Sequence, residues 1–285
     1  MTLPSLNLLA QSILSGVFLG SMYALIGLGL GMSWGLLRQI NLAHFGFVFL
    51  SAYLSYQFTQ SFGLDPLLSL VILPPVFFAI GVAMQWVLLN FRITPFNSLL
   101  VTFGVTVMIE SLIQHVWTAD FRKLQSSYAE HKLSVGGLFL PVPELITFGL
   151  AVTMAAAIWA AMRFTDLGKA MRAMAEDAPI AAAFGINQRA LSLLLAGVCV
   201  AIASIAGVCF AVTFTLTPTQ IFAWVGVVFA VVMLGGLGSA VGPLAAGIVI
   251  GVSEAIAMVF FAPSWAPIVS FSLLILMLLF RPGKA

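Results

Sequence analysis

The stretch SGVFLGSMYALIGLGLGMSWGLL (Ser15–Leu37) contains no charged residue, and the polar segment RQINLAHF (Arg38–Phe45) follows it directly. A helix needs about 20 consecutive apolar residues to cross the hydrocarbon core of a bilayer. Hydrocarbon offers no partners to exposed backbone groups, so a spanning segment of this kind is helical. Ser15–Leu37 therefore predicts a transmembrane helix, and the polar residues after it predict a helix break.

The rest of the chain has the same apolar character. Of its 285 residues, 62% are hydrophobic and only 7% are charged, against about 25% charged in soluble domains. The mean hydropathy is +1.15. Since there is no long polar segment to form a catalytic domain, we expect a single all-α polytopic membrane domain over residues 1–285.

Apolar segments recur along the chain and predict eight or nine transmembrane helices, with broken or re-entrant segments among them. A count of eight would require one segment to be re-entrant. The segments are Leu6–Leu36, Phe45–Phe58, Leu67–Leu89, Phe96–Trp117, Leu145–Met162, Leu191–Phe214, Ile221–Leu234, Leu244–Phe261 and Ile268–Phe280.

The basic residues predict the orientation of these helices. If nine segments alternate across the membrane, only Arg122, Lys123 and Lys132 fall on one side. The other side carries Arg38, Arg92, Arg163, Lys169, Arg172, Arg189, Arg281 and Lys284. Short loops rich in Lys and Arg stay in the cytoplasm. We therefore expect a multi-pass protein of the bacterial plasma (inner) membrane, with its N-terminus outside and its C-terminus in the cytoplasm.

One polar segment, residues 164–190, stands apart on the expected cytoplasmic side. Its Ala- and Met-rich first part favours a helix. Pro179 suits the first turn of a second helix capped by Asp177 or Ala178, and Gly185 would end that helix. Because apolar residues such as Met171 and Phe184 accompany these charges, the segment is typical of a docking surface rather than a solvated loop.

Four stretches resemble segments of one protein family, and they occur along the chain in the same order as in that family. They are MRAMAEDAPIAAAFGIN (Met171–Asn187), INLAHFGFVFLSAY (Ile40–Tyr53), VVMLGGLGSAVGPLAAGIVIGVSEAI (Val231–Ile256) and VSFSLLILMLLFRPGKA (Val269–Ala285). They are similar to the coupling segment, the Asn-x-Ala-His segment, the glycine-rich segment and the C-terminus of branched-chain amino-acid ABC transporter permeases of the LivH type. The resemblance extends over nearly the whole chain.

The resemblance implies a transport subunit and not an enzyme. The partners it implies are a second homologous permease, two ATP-binding subunits, and a periplasmic or lipid-anchored substrate-binding protein. ATP hydrolysis would belong to those subunits, which agrees with the lack of a G-x-x-x-x-G-K-[ST] phosphate loop in this sequence. No cofactor, metal or nucleic acid is implied. The implied coupling residues are Met171, Glu176, Asp177, Pro179 and Gly185 within the segment 164–190.

The helix break contributes two candidates for the translocation pathway, Asn41 and His44. Polar groups inside hydrocarbon are costly unless they face protein or a watery cavity, and they often mark a transport path. We expect Asn41 chiefly to cap a helix that begins near Leu42. For His44, a pathway role and a structural hydrogen bond to a neighbouring helix are equally compatible with the sequence.

The other pathway candidates are Thr106, Glu110 and Glu254. Thr106 and Glu110 belong to a track of polar residues, Ser98–Thr102–Thr106–Glu110–Gln114, that spirals because four-residue steps drift by about 40° each. Helix packing is the alternative for the hydroxyl residues, and a structural hydrogen bond is the alternative for the two carboxyls. Related permeases often have Glu or Gln at the first carboxyl position and Glu at the second.

The sequence leaves alternatives open both for the transported substrate and for the class of transporter. The related permeases often have Gly and an acidic residue where this chain has Phe45 and Gly46. Branched-chain or hydrophobic amino acids, urea, short amides and small organic acids all therefore stay in consideration. A stand-alone secondary transporter that uses the membrane carboxyls is the alternative class, although it would not need a docking segment.

Overall fold

The computed structural model describes residues 5–125, 128, 131–262 and 265–280. Their secondary structure is almost entirely helical, with one two-stranded antiparallel hairpin. The elements in chain order are α1 (Leu6–Leu37), α2 (Ala43–Phe62), α3 (Ser69–Asn90), α4 (Pro95–Trp117), β1 (Lys132–Val135), β2 (Leu138–Pro141), α5 (Val142–Phe164), α6 (Asp166–Glu176), α7 (Ala178–Ala183), α8 (Gln188–Thr213), α9 (Ile221–Gly235), α10 (Gly242–Phe260) and α11 (Ala266–Phe280).

A helix occupies each of the nine predicted apolar segments, which confirms the all-α polytopic class. Within the described residues, seven helical spans are long and apolar enough to cross a membrane: α1, α4, α5, α8 and α10, and α3 and α9 together with the helical turn before each, Pro66–Asn90 and Pro218–Gly235. Helix α2 is long but carries His, Gln and several hydroxyl side chains, and the apolar part of α11 is short. The number of crossings therefore stays a prediction.

Helices α1 and α8 form the centre of the bundle. In the most apolar 18-residue stretch of each of these two helices, 72% of the residues are buried. In the corresponding stretches of α3 and α5, only 22% are buried. Helix α1 packs against α10, α8, α5 and α9, and α8 also packs against α2 and α3. The peripheral helices expose apolar side chains, as expected for surfaces that face lipid.

Glycine lets α1 and α10 approach closely. A Cβ on Gly20 would lie 2.3 Å from the carbonyl oxygen of Gly247, and a Cβ on Gly251 would lie 2.3 Å from that of Gly16. Membrane helices pack by van der Waals contact rather than by exclusion of water, so small residues at such crossings stabilise the pair. The two glycine pairs therefore explain why this is the most extensive helix contact in the bundle.

The glycine-rich turn between α9 and α10 packs on the last turns of α1. Gly236 and Gly238 both have positive φ, at 89° and 76°. The Gly238 amide donates to the carbonyl of Gly31 at 3.1 Å, and the turn leaves no space for a side chain at Gly35. This second break in the helical chain thus lies close to the first, which follows α1.

The predicted pair of short helices in residues 164–190 is confirmed. Thr165 caps α6 by accepting from the Gly168 amide, and Asp177 caps α7 by accepting from the Ile180 amide at 3.0 Å. Gly185 follows α7 with φ 86°, a left-handed conformation that favours glycine. The two helices lie at the end of the bundle where α1 ends and α8 begins.

Candidate translocation and coupling sites

His44 is held inside the bundle by α1. Its side chain is 1% exposed, and its Nε2 lies 2.9 Å from the carbonyl oxygen of Ile26. A carbonyl can only accept, so Nε2 carries the proton. A Cβ on Gly29 would lie 2.4 Å from the ring, so the glycine is what makes room for it. Of the two interpretations of His44, this geometry matches the structural hydrogen bond to a neighbouring helix.

The expectation that Asn41 caps α2 is wrong. Helix α2 begins at Ala43, and Leu42, which precedes it, already has helical backbone angles. A capping side chain accepts from an amide of the first helical turn, but the buried Oδ1 of Asn41 has no hydrogen-bond partner among the described residues. Thr102 of α4 instead accepts from the Leu42 amide at 3.0 Å and satisfies the start of α2 from a neighbouring helix.

Arg38 connects the first break to the segment 164–190. It ends α1 in a left-handed conformation with φ 53°, which is uncommon for a residue other than glycine. Its guanidinium donates to the carbonyl of Ala175 at 2.7 Å, in the last turn of α6. A cation at this end complements the helix dipole and the free carbonyls. A pocket of about 460 Å³ lies beside this contact.

Of the coupling candidates, Glu176, Asp177, Pro179 and Gly185 lie on the exposed side of the short helices. Met171 does not, because it is buried together with Met174 in the main hydrophobic core. The exposed large apolar side chains of the segment 164–190 include Ile180, at 56%, and Phe184, at 85%, in and just after α7, and also Phe164 and Leu167. The sequence assigned Met171 and Phe184 to one docking surface, whereas the structure packs Met171 against the bundle and exposes Phe184.

Glu254 lies between three helices and not toward lipid. Its side chain is 3% exposed, and its Oε2 accepts from the Tyr23 hydroxyl of α1 at 2.8 Å. The Ser270 hydroxyl of α11 donates to the other oxygen. The group borders a pocket of about 320 Å³ that is also lined by Phe222 and Phe271.

The polar track along α4 passes from the inside of the bundle to its surface. Ser98, Thr102 and Thr106 are buried, and the Thr106 hydroxyl donates to the carbonyl of Thr102. Glu110 is partly exposed and Gln114 is exposed; the Gln114 amide donates to Glu110 Oε1 at 3.2 Å. Each four-residue step turns about 40° further around the helix, so the track moves from the buried side of α4 to its exposed side.

Some residues around these sites could not be identified from the sequence. Tyr23, Ser270 and Phe222 gave no signal, because a single hydroxyl or ring in an apolar run is ordinary in a membrane helix. Arg38 was noted only for its charge. Its left-handed backbone and its contact with α6 arise from tertiary structure and have no local sequence pattern.

Comparison with known proteins places these features in a family. The model of a family described as the permease component of the branched-chain amino acid transport system matches residues 12–278. The chain is 26% identical to the high-affinity branched-chain amino acid transport system permease protein BraD of Pseudomonas aeruginosa, covering 98% of this chain and 96% of BraD. It is 27% identical to LivH of Escherichia coli K12 and to LivH of Salmonella typhimurium, with 95% of this chain and 93% of each relative covered. No solved structure matches the chain.

The match covers both helix breaks, the short helices α6 and α7, and both membrane carboxyls. It confirms that the chain is a transport subunit and not an enzyme, and that it works within an ABC transport system as a multi-pass inner-membrane protein. The chain belongs to the family of permease components of the branched-chain amino acid transport system.

Proposed function

We propose that this chain forms half of the membrane pathway of an ABC importer for branched-chain or other hydrophobic amino acids. Its partners in this proposal are a second, homologous permease, two ATP-binding subunits and a periplasmic or lipid-anchored substrate-binding protein. The family match over residues 12–278 is the observation that carries the proposal. The relatives BraD and LivH are named for high-affinity transport of branched-chain amino acids.

The short helices support a docking role toward an ATP-binding subunit. Helices α6 and α7 lie at the end of the bundle where α1 ends and α8 begins, and they expose Ile180 and Phe184 beside Glu176 and Asp177. An apolar centre with a charged rim is typical of a protein interface. The proposal places this segment and the C-terminus in the cytoplasm and the N-terminus outside, supported by the basic residues on the side of α6 and α7.

Asn41, His44, Thr106, Glu110 and Glu254 are the proposed pathway residues. The two carboxyls are the better supported, since Glu254 borders a pocket and Glu110 reaches the surface of α4. His44 and Asn41 are enclosed, so any part they take requires the first break to move. Such movement is compatible with Arg38, which joins that break to α6.

The experiment is uptake of labelled leucine into membrane vesicles that contain the complete transporter and its binding protein, with ATP supplied inside. We expect ATP-dependent uptake that unlabelled isoleucine and valine reduce. Glu176→Lys should abolish uptake while the protein still inserts, because the charge reversal faces the docking surface. Glu176→Gln, of nearly equal size, is the matched control and should retain most of the uptake.

Two results would count against the proposal. Uptake of urea, a short amide or an organic acid in place of leucine would reject the amino-acid substrate and keep the ABC importer. Uptake by Glu176→Lys at the rate of the unmodified chain would reject the docking role of this surface.

A further inference from the structure

The surface of α4 carries polar groups at a depth where lipid cannot satisfy them. Helix α4 has 23 residues with Thr106 at its middle. At about 1.5 Å per residue, Glu110 lies about 6 Å from the midpoint, well inside a hydrocarbon core about 30 Å thick. Ser111 and Gln114 are exposed beside it. We call Phe103, Val107, Glu110, Ser111 and Gln114 the α4 flank.

Helix α3 shows what a lipid-facing surface looks like in this protein. Its exposed side chains between Val71 and Val87 are hydrophobic, its polar residues Ser69 and Gln85 are both buried, and its exposed Asn90 lies at the very end of the helix. The Gln85 amide donates to Gln39 inside the protein. Helix α3 thus turns its polar groups inward, whereas α4 leaves Glu110 and Gln114 with only each other among the described residues.

The α4 flank is continuous with the pocket at Glu254. Phe103 is 45% exposed, and its ring lies 5.9 Å from that of Phe222 at the start of α9. Phe222 also lines the pocket that Glu254 borders. Both membrane carboxyls are therefore reached from one side of the molecule, along a surface that α4 and α9 form together.

We infer that this side of the molecule, the α4 flank with Phe222, is the surface on which the second permease sits, so that the substrate passes between the two chains here. The inference rests on the proposed function, and it adds which face of this chain contacts the second permease. A protein partner supplies what lipid lacks, namely hydroxyl, amide or basic donors at the depth of Glu110.

The occupant is a homologous but different permease rather than a second copy of this chain. In a two-fold pair of identical chains, the same patch meets itself. Because the inferred pathway runs along the axis between the two chains, two identical chains would both place a Glu110 carboxyl in it, and like charges repel strongly in a medium of low dielectric constant. A related chain with donors at this depth avoids that repulsion.

The test attaches a photoactivatable benzophenone to single cysteines in membranes that contain the complete transporter. Val107→Cys and Ser111→Cys report on the α4 flank, and Val76→Cys and Val87→Cys on α3 are the matched controls. The chain without an added cysteine gives the background, since Cys199 and Cys209 are both buried. Adducts are identified by mass spectrometry.

We expect adducts with the other permease from both α4 positions, and only background or lipid adducts from α3. An adduct with a second copy of this chain, no protein adduct from α4, or equal permease adducts from α3 would each overturn the inference. Leucine uptake is measured in the same membranes before labelling. Uptake without the α4 adduct rejects this face alone, while an α4 adduct in membranes that take up no leucine supports the face and rejects the proposed substrate.

Discussion

Glu110 is the residue whose role depends most on what covers the surface of α4. A carboxylate that faced lipid near the middle of a helix would cost about 2.5–3.5 kcal/mol on insertion scales. Its structural neighbour is Gln114, which donates to it from the next turn. The side chain therefore needs a polar environment that the described residues supply only in part.

We predict that Glu110→Leu inserts into the membrane but reduces substrate uptake by roughly ten- to a hundredfold. The loss corresponds to one hydrogen bond of a charged group, worth about 1.5–3 kcal/mol, and each 1.4 kcal/mol is about a factor of ten. Glu110→Gln keeps a hydrogen-bonding oxygen and should retain more uptake. Vesicle uptake at equal protein content measures both variants. If the Glu110→Leu variant takes up substrate at the rate of the unmodified chain, Glu110 has no role in the pathway.

Glu254 differs because its hydrogen bonds lie within the chain. It accepts from Tyr23 of α1 and Ser270 of α11 while it belongs to α10, so it joins three helices. Glu254→Leu would leave the buried Tyr23 hydroxyl without an acceptor, at a cost of about 1–3 kcal/mol, and the Ser270 hydroxyl would keep only the carbonyl of Ala266 at 3.4 Å. We therefore predict a lower thermal midpoint for the purified chain in detergent.

The control for Glu254→Leu is Glu254→Gln, which keeps one accepting oxygen and should lose less stability. Tyr23→Phe removes one of the donors and should weaken the effect of the Leu substitution when the two are combined. If all three variants unfold at the temperature of the unmodified chain, the network contributes nothing to stability. A variant that stays stable but loses uptake would instead favour the pathway role.

At the scale of helices, the close approach of α1 and α10 has a direct test. Gly20→Ala adds a methyl group at a point 2.3 Å from the carbonyl oxygen of Gly247, so the helices must separate. Gly149→Ala on α5 is the matched control, because its added Cβ meets nothing within 4 Å. Both substitutions gain the same helix propensity, about 0.5–1 kcal/mol.

We therefore predict that Gly20→Ala lowers the thermal midpoint of the chain and Gly149→Ala leaves it unchanged or raises it. Thermal unfolding in one detergent gives both values under equal conditions. A stabilising Gly20→Ala would mean that α1 and α10 can move apart without cost.

Sequence reasoning located helices well because their apolar length is a local property. It also located α6 and α7, since Pro179, Asp177 and Gly185 act through backbone rules that hold in any fold. It failed at the start of α2, where Asn41 looked like a cap and Thr102 of α4 supplies it. A contact between residues 60 positions apart has no local signal.

The same limit applies to the candidate sites. The sequence identified Glu110 and Glu254 as unusual, since carboxyls inside apolar helices are costly wherever they point. It could not separate one carboxyl enclosed by Tyr23 and Ser270 from another at the edge of α4. That difference follows from packing and changes the experiment that suits each residue.

At the scale of the whole molecule, the proposed docking segment occurs in a chain whose own sequence lacks the motif of a phosphate-binding loop. Its sequence contains no phosphate-binding loop, while α6 and α7 present exposed apolar and acidic side chains. Arg38 connects that surface to the first helix break through the last turn of α6. In the proposed function, the energy for transport enters from another subunit and reaches the membrane helices through this contact.

We predict that the chain purified alone shows no ATPase activity, and that vesicles holding it alone accumulate no leucine when given ATP or a proton gradient. Phosphate release and labelled uptake measure the two properties. Adding the second permease, the ATP-binding subunits and the substrate-binding protein should produce both activities, and Glu176→Lys should prevent this. Accumulation driven by a proton gradient in vesicles with this chain alone would support a secondary transporter, because no docking surface would then be needed.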